Sequence, residues 1–97
     1  MSTQTTQKPL FSIGALVATP AALQALERTG EDARSFIRRH ITGDWGDLPE
    51  SDKKENDCSI DIPLRILSAY TLKDQTKIWI ITEADRSATT ILLPEDY

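Results

Sequence analysis

The stretch 66–93 limits what this chain can become more than any other part of it. Three runs rich in β-branched and aromatic residues, 66–72, 77–82 and 88–93, follow one another there. Two short polar breaks separate them, Lys73-Asp74-Gln75-Thr76 and 83–87. Runs of this kind bounded by turn residues read as strands, and connections this short favour antiparallel hairpins. A three-stranded antiparallel meander is therefore expected. Its middle run, Ile78-Trp79-Ile80-Ile81, is apolar at both alternating positions, so both of its faces need cover. The rest of the chain has to provide it.

A chain of 97 residues suits one domain with a single core. The net charge of −4 argues against sequence-independent binding to nucleic acid, which relies on Lys and Arg clustered at phosphates. It leaves a local basic patch open. No apolar run nears the roughly 20 residues that cross a bilayer. Residues 1–8 lack the basic-then-apolar layout of a secretory signal, and the single cysteine, Cys58, has no partner for an internal disulfide. A cytoplasmic protein without membrane association is expected.

Residues 1–9 are polar and aperiodic, and a disordered tail is expected there, with one α+β domain over 10–97. The apolar run 10–18 reads as a fourth strand, with Gly14 marking a bulge or bend. Thr19-Pro20 then starts a helix over 20–28: a capping hydroxyl followed by proline at the first helical position. Gly30 suits its left-handed end. A second helix is expected over 31–41, with Thr29 as cap and Ala33, Phe36, Ile37, His40 and Ile41 as its apolar stripe. The two helices form a hairpin suited to pack on one face of the sheet. Thr42–Asp47 holds two glycines around Trp45 and reads as a turn, with the indole anchoring it to the core. Asp47 with Glu50 would cap a third helix over 48–57, which has almost no apolar face and is expected to be solvated. Cys58, Ile60, Ile62 and Leu64 alternate with other residues and read as a short edge segment, weakened by Pro63.

Three motifs stand out together: Gly43-Asp44-Trp45-Gly46-Asp47-Leu48, Arg65-Ile66-Leu67-Ser68-Ala69-Tyr70, and the run from Ile81-Thr82-Glu83-Ala84-Asp85-Arg86-Ser87 to Pro94. In order and spacing the chain resembles, from Phe11 to Tyr97, a family of small proteins of about this length carried by bacterial plasmids, phages and integrative elements. Members are labelled "plasmid-related protein" or "type I restriction endonuclease subunit M". The resemblance departs most at 58–63. It implies a genetic setting near restriction or defence loci. Methyltransferase chemistry does not follow from the second label. That fold needs a glycine-rich turn for the methyl donor and an Asn/Asp-Pro-Pro-aromatic motif for the base. The only glycines here are Gly14, Gly30, Gly43 and Gly46, there is no Pro-Pro pair, and 97 residues are too few.

Several groups are candidate sites. Asp44, Asp47, Glu50, Asp52, Glu55, Asp57 and Asp61 face only Lys53 and Lys54 in their stretch. They read either as a solvated helix with capping acids and a Glu50–Lys54 pair, or as a row of carboxylates that imitates a phosphate backbone. Arg34, Arg38 and Arg39 could grip phosphate or an acidic partner, or serve as surface charges near a helix C-terminus. Glu83, Asp85 and Arg86 could bind a cation or do acid–base work, or form a charged turn with a local ion pair. His40 and Cys58 alone offer the softer metal-ligand atoms, too few for zinc. His40 is expected at the core margin, and Cys58 has no neighbour to activate it. Trp79 is expected in the core and Tyr97 as an exposed aromatic.

The expected protein is thus an α+β domain with an antiparallel three- to four-stranded sheet. It is expected to be no enzyme and to need no metal or cofactor. Its expected role is that of a mobile-element accessory protein that binds another protein, such as part of a host defence or restriction complex. The acidic segment and the 83–86 turn would make the contact. The alternative is a small nucleic-acid-associated regulator using Arg34, Arg38 and Arg39.

Overall fold

The computed structural model describes residues 8–62 and 64–97. Its elements in chain order are β1 (Ala15–Ala18), α1 (Pro20–Thr29), α2 (Ala33–Ile41), α3 (Glu50–Asp61), β2 (Ile66–Thr71), β3 (Lys77–Thr82), β4 (Ala88–Leu92) and a 3-10 turn, Pro94–Asp96. The class is α+β. The tail expected over 1–9 falls, for residues 1–7, outside the described residues; Lys8 and Pro9 are exposed.

The meander forms as expected: β2 pairs antiparallel with β3, and β3 with β4. The sheet as a whole is mixed, because β1 runs parallel to β4 from Ala15↔Ala88 to Ala18↔Ile91. Short hairpin connections dictate direction only within 66–92. Residues 19–87 separate β1 from β4, a connection long enough for parallel neighbours. The strand also starts later than expected, at Ala15. Gly14, at φ 61°, brings the chain against the β3–β4 turn, where a Cβ would lie 2.3 Å from the Ser87 carbonyl oxygen.

The strand registers sort the side chains into two faces. Ile66, Ser68, Tyr70, Ile78, Ile80, Thr82, Thr89 and Ile91 share one face and are all buried. Ala22, Ala25 and Leu26 of α1 and Phe36 and Ile37 of α2 belong to one apolar cluster with Tyr70, Ile78, Ile80 and Ile91. The Phe36 and Tyr70 rings lie 5.4 Å apart. The other face carries Leu67, Ala69, Trp79, Ile81 and Leu92. It is only partly covered: Trp79 is half-buried and meets the exposed Tyr97 ring edge-on at 5.8 Å.

The helix ends follow local chemistry. Thr19 accepts from the Ala22 N–H, and Gly30, at φ 71°, closes α1. The cap of α2 is Asp32, not Thr29. Thr29 lies inside the last turn of α1 and donates its hydroxyl back to the Ala25 carbonyl, whereas the Asp32 carboxylate accepts from the Arg34 N–H at 2.9 Å. Consequently α2 begins at Ala33. Helix α3 departs further from expectation. It begins at Glu50 after Pro49, with no side-chain cap, and runs through Cys58 to Asp61 in place of an edge segment. Asp47 does not cap it; its carboxylate accepts from the Thr71 hydroxyl at 2.6 Å. Nor is α3 solvated all round. Asn56 and Ser59, three residues apart on one helical side, are buried.

Candidate functional site

The seam between α3 and β2 is built from polar groups. The Asn56 amide donates to the Leu67 carbonyl at 2.6 Å and accepts from the Leu67 N–H at 3.2 Å. A side-chain amide thus takes the place of a neighbouring strand. One step along, Trp45-Gly46-Asp47 bridges Ala69: the Ala69 N–H donates to Trp45 O at 3.2 Å and the Asp47 N–H donates to Ala69 O at 2.7 Å. This approach requires glycine. Gly46 has φ 77°, and a Cβ there would stand 1.9 Å from the Ala69 oxygen. Trp45 is buried as expected and donates its indole N–H to Asp57 at 3.1 Å.

Beside this seam lies an open groove of about 560 Å³. Leu48, Leu64 and Leu67 supply its apolar lining, and Asp52, Lys54, Glu55 and Arg65 border it. Arg65 and Leu67 also line a smaller hollow of about 190 Å³ with Trp79, Ile81 and Tyr97. The two depressions therefore adjoin. Arg65 lies 5.8 Å over the Tyr97 ring.

Most of the sequence-level acidic candidates are already engaged within the fold. Asp44 accepts from Arg39 Nε at 2.7 Å and from the Gly46 N–H at 3.2 Å. Those contacts, Arg39 first, hold its carboxyl below the usual range. Asp47 and Asp57 are held by Thr71 and Trp45. Glu50 pairs with Lys53 at 3.5 Å, one turn along at i,i+3, and not with Lys54. Among the described residues, Asp52 and Glu55 have no hydrogen bond or ion pair to their carboxylates, and both border the groove.

No protein-family model, curated protein or solved structure matches this chain.

The 83–86 turn holds no internal ion pair. The Arg86 guanidinium donates to the carbonyls of Leu64 (2.7 Å), Ser59 (2.5 Å), Glu83 and Ala84 (both 3.2 Å), at a left-handed φ of 61°. It ties the β3–β4 connection to the end of α3, because carbonyls converging from both elements outcompete a solvated carboxylate for its donors. Asp85 accepts from the Ser87 N–H at 2.9 Å, and the Ser87 side chain first, with that N–H, holds its carboxyl below the usual range. Glu83 remains exposed. The helix 2 arginines are also mostly engaged. Arg34 pairs with Asp32 at 3.0 Å, and Arg39 with Asp44 while lying 4.5 Å over the Tyr70 ring. Arg38 has no ion pair among the described residues.

His40 is not at the core margin but fully buried. The α2 spacing aims it between β2 and β3, where Nδ1 meets Ser68 Oγ at 2.5 Å and Nε2 meets Thr82 Oγ1 at 2.9 Å. Thr82 Oγ1 lies 2.7 Å from Thr89 Oγ1, and Thr89 donates to the Ile13 carbonyl at 2.9 Å. That last bond orders every proton in the chain. Thr89 has spent its hydrogen, so it accepts from Thr82; Thr82 then accepts from His40 Nε2–H, and Nδ1 accepts from the Ser68 hydroxyl. The imidazole is neutral and satisfied, and burial pushes its pKa down to about 4. His40, Ser68, Thr82 and Thr89 have no solvent exposure, so no substrate reaches them. Cys58 is exposed on α3. Among the described residues no group of three or more His, Cys, Asp and Glu could hold a metal ion, and no helix is long and apolar enough to cross a membrane.

Asn56, Arg65 and the Ser68–Thr82–Thr89 set escaped the sequence. The only signal was weak: polar residues at alternate positions that otherwise carry isoleucine or tyrosine.

Proposed function

We propose that this protein is a non-enzymatic accessory protein that works by binding another protein, with the α3 groove as the contact. The observation that carries this is the pairing of an apolar floor with unengaged charge. Leu64 is 52% exposed, and Asp52 and Glu55 stand on the rim with carboxylates unused by the fold. An apolar centre with a polar rim is the usual anatomy of a protein interface. Of the nine contact candidates read from the sequence, Asp44, Asp47, Asp57, Asp85 and Arg86 serve the fold, Glu50 pairs with Lys53 and Glu83 lies away from the groove lining, which concentrates the proposed contact on Asp52 and Glu55. The partner would present an apolar segment flanked by Lys or Arg. The resemblance to mobile-element proteins would make that partner a component of a host defence or restriction complex. The nucleic-acid alternative draws on three arginines, two of which are already held by Asp32 and Asp44.

Pull-down from the host, read by mass spectrometry, tests the proposal. A partner retained by the native protein should be lost with Asp52→Asn/Glu55→Gln, and its retention should weaken as salt rises, since screening acts over about 8 Å at physiological ionic strength. Undiminished capture by the double variant would remove the groove from consideration.

A further inference from the structure

The far edge of the sheet is open. Among the described residues, strand β1 pairs only with β4, on its inner side. Ala15 and Thr19 donate their N–H groups inward, to Ser87 O at 3.0 Å and Ile91 O at 2.9 Å. The two-residue period places Val17 inward as well and leaves the N–H and C=O of Leu16 and Ala18 directed away from the sheet. Such an edge is a template for another strand.

The chain on either side of it carries no charge of its own; the nearest charges come from elsewhere, the Asp96 carboxylate accepting from the Thr19 hydroxyl at 2.7 Å and Arg86 lying over the Phe11 ring. Positions 9–26 contain no Asp, Glu, Lys or Arg, in a chain in which 27% of residues are charged. Four of the seven large hydrophobic side chains exposed among the described residues lie there: Leu10, Leu16, Val17 and Leu23. Depletion of charge at an exposed apolar patch is the compositional mark of an interface centre. Apart from its shortness, four residues, the strand carries no charged side chain of the kind that normally protects an edge.

We propose that the protein forms a two-fold symmetric dimer by antiparallel pairing of β1 with β1 of a second copy. Two features select a second copy. In an acidic chain this neutral strand is where two copies meet without like-charge repulsion. The β2 edge, moreover, is closed by Asn56 and by Trp45-Gly46-Asp47, so β1 cannot add to β2 of the next molecule and grow a fibre. The self-paired edge is the closed solution. Centring the two-fold axis on Val17 sets Leu16 opposite Ala18 of the other copy. It uses the outward N–H and C=O groups of both residues and places the two Val17 side chains side by side at a non-hydrogen-bonded position. The inference is independent of the α3 groove, which lies at the opposite edge.

Sedimentation of the full chain tests it. The expected mass is twice 10.8 kDa at high concentration, dissociating on dilution. Val17→Lys, which sets two ammonium groups together at the axis, is expected to be monomeric with an unchanged circular dichroism spectrum. In a Cys58→Ser background, Val17→Cys should oxidise to a covalent dimer, because non-hydrogen-bonded antiparallel partners sit about 4.5 Å apart, within disulfide reach. Leu16→Cys should not. A native protein that stays monomeric at its highest soluble concentration overturns the proposal. So does a dimer that survives Val17→Lys, or cross-linking through Leu16→Cys in place of Val17→Cys.

Discussion

The two edges of the sheet are opposite solutions to one problem. At β2 the outward backbone groups of Leu67 are taken by the Asn56 amide, and those of Ala69 by Trp45 and Asp47. At β1 the outward groups of Leu16 and Ala18 face away from the sheet, beside exposed Leu16 and Val17. The sealed edge is polar and held by a glycine, a tryptophan and a helix; the open edge is short, apolar and uncharged. Closing one edge and leaving the other limits association through the sheet to a single event. A sheet with two open edges would have no such limit.

The largest expected effect breaks the sealed edge. Gly46→Ala forces a Cβ into the Ala69 oxygen at a left-handed backbone position, and should cost about 3 kcal/mol or more in urea unfolding. A variant that keeps its fold should also associate at an edge where the native protein does not, read by sedimentation. Unchanged stability would show that the 45–47 bridge contributes nothing to closing β2.

Acid should loosen the same half. Because the folded His40 pKa, about 4, lies below the ordinary 6.5, the unfolded chain binds a proton that the folded protein refuses. Stability from this group is complete above pH 6.5 and declines as pH falls toward about 4, by up to about 3 kcal/mol. Urea midpoints across that range measure it. His40→Leu should be less stable at neutral pH and should lose this slope. A native protein equally stable at pH 7 and pH 4.5 would contradict a neutral, buried His40.

Asn56→Leu should cost about 2 kcal/mol, since it strands the N–H and C=O of Leu67 beneath α3. Thermal unfolding, together with faster exchange of the Leu67 amide, would record it. The smallest effect belongs to the open edge. Val17→Lys lies on an exposed strand and should shift monomer stability by no more than about 0.5 kcal/mol. A large loss on unfolding would mean that β1 is buried in the monomer after all.

The parts of the fold legible in the sequence were those whose cause is local. Thr19-Pro20 and Gly30 bound α1 because a hydroxyl, a fixed φ and a missing Cβ act within a few residues. The meander followed from hairpin spacing. Trp45 was recognisable as an anchor because an indole between two glycines has few other uses. The candidate contact acids were legible as a group, but their division was not. Nothing near Asp57 in the chain shows that Trp45 will claim it, twelve residues away, or that Asp52 will be left to the groove. The same holds for Arg86, which looks like half of an ion pair until carbonyls from α3 and Leu64 surround it.

By itself, then, the chain determined its strands and first two helices, because periodicity, caps and turn residues act over short range. Only the tertiary structure decided the direction of β1, the burial of Asn56 and His40, and which carboxylates the fold leaves unengaged. Each of those depends on where a polar group finds its hydrogen-bond partner once water has been excluded, and that partner lies far along the chain.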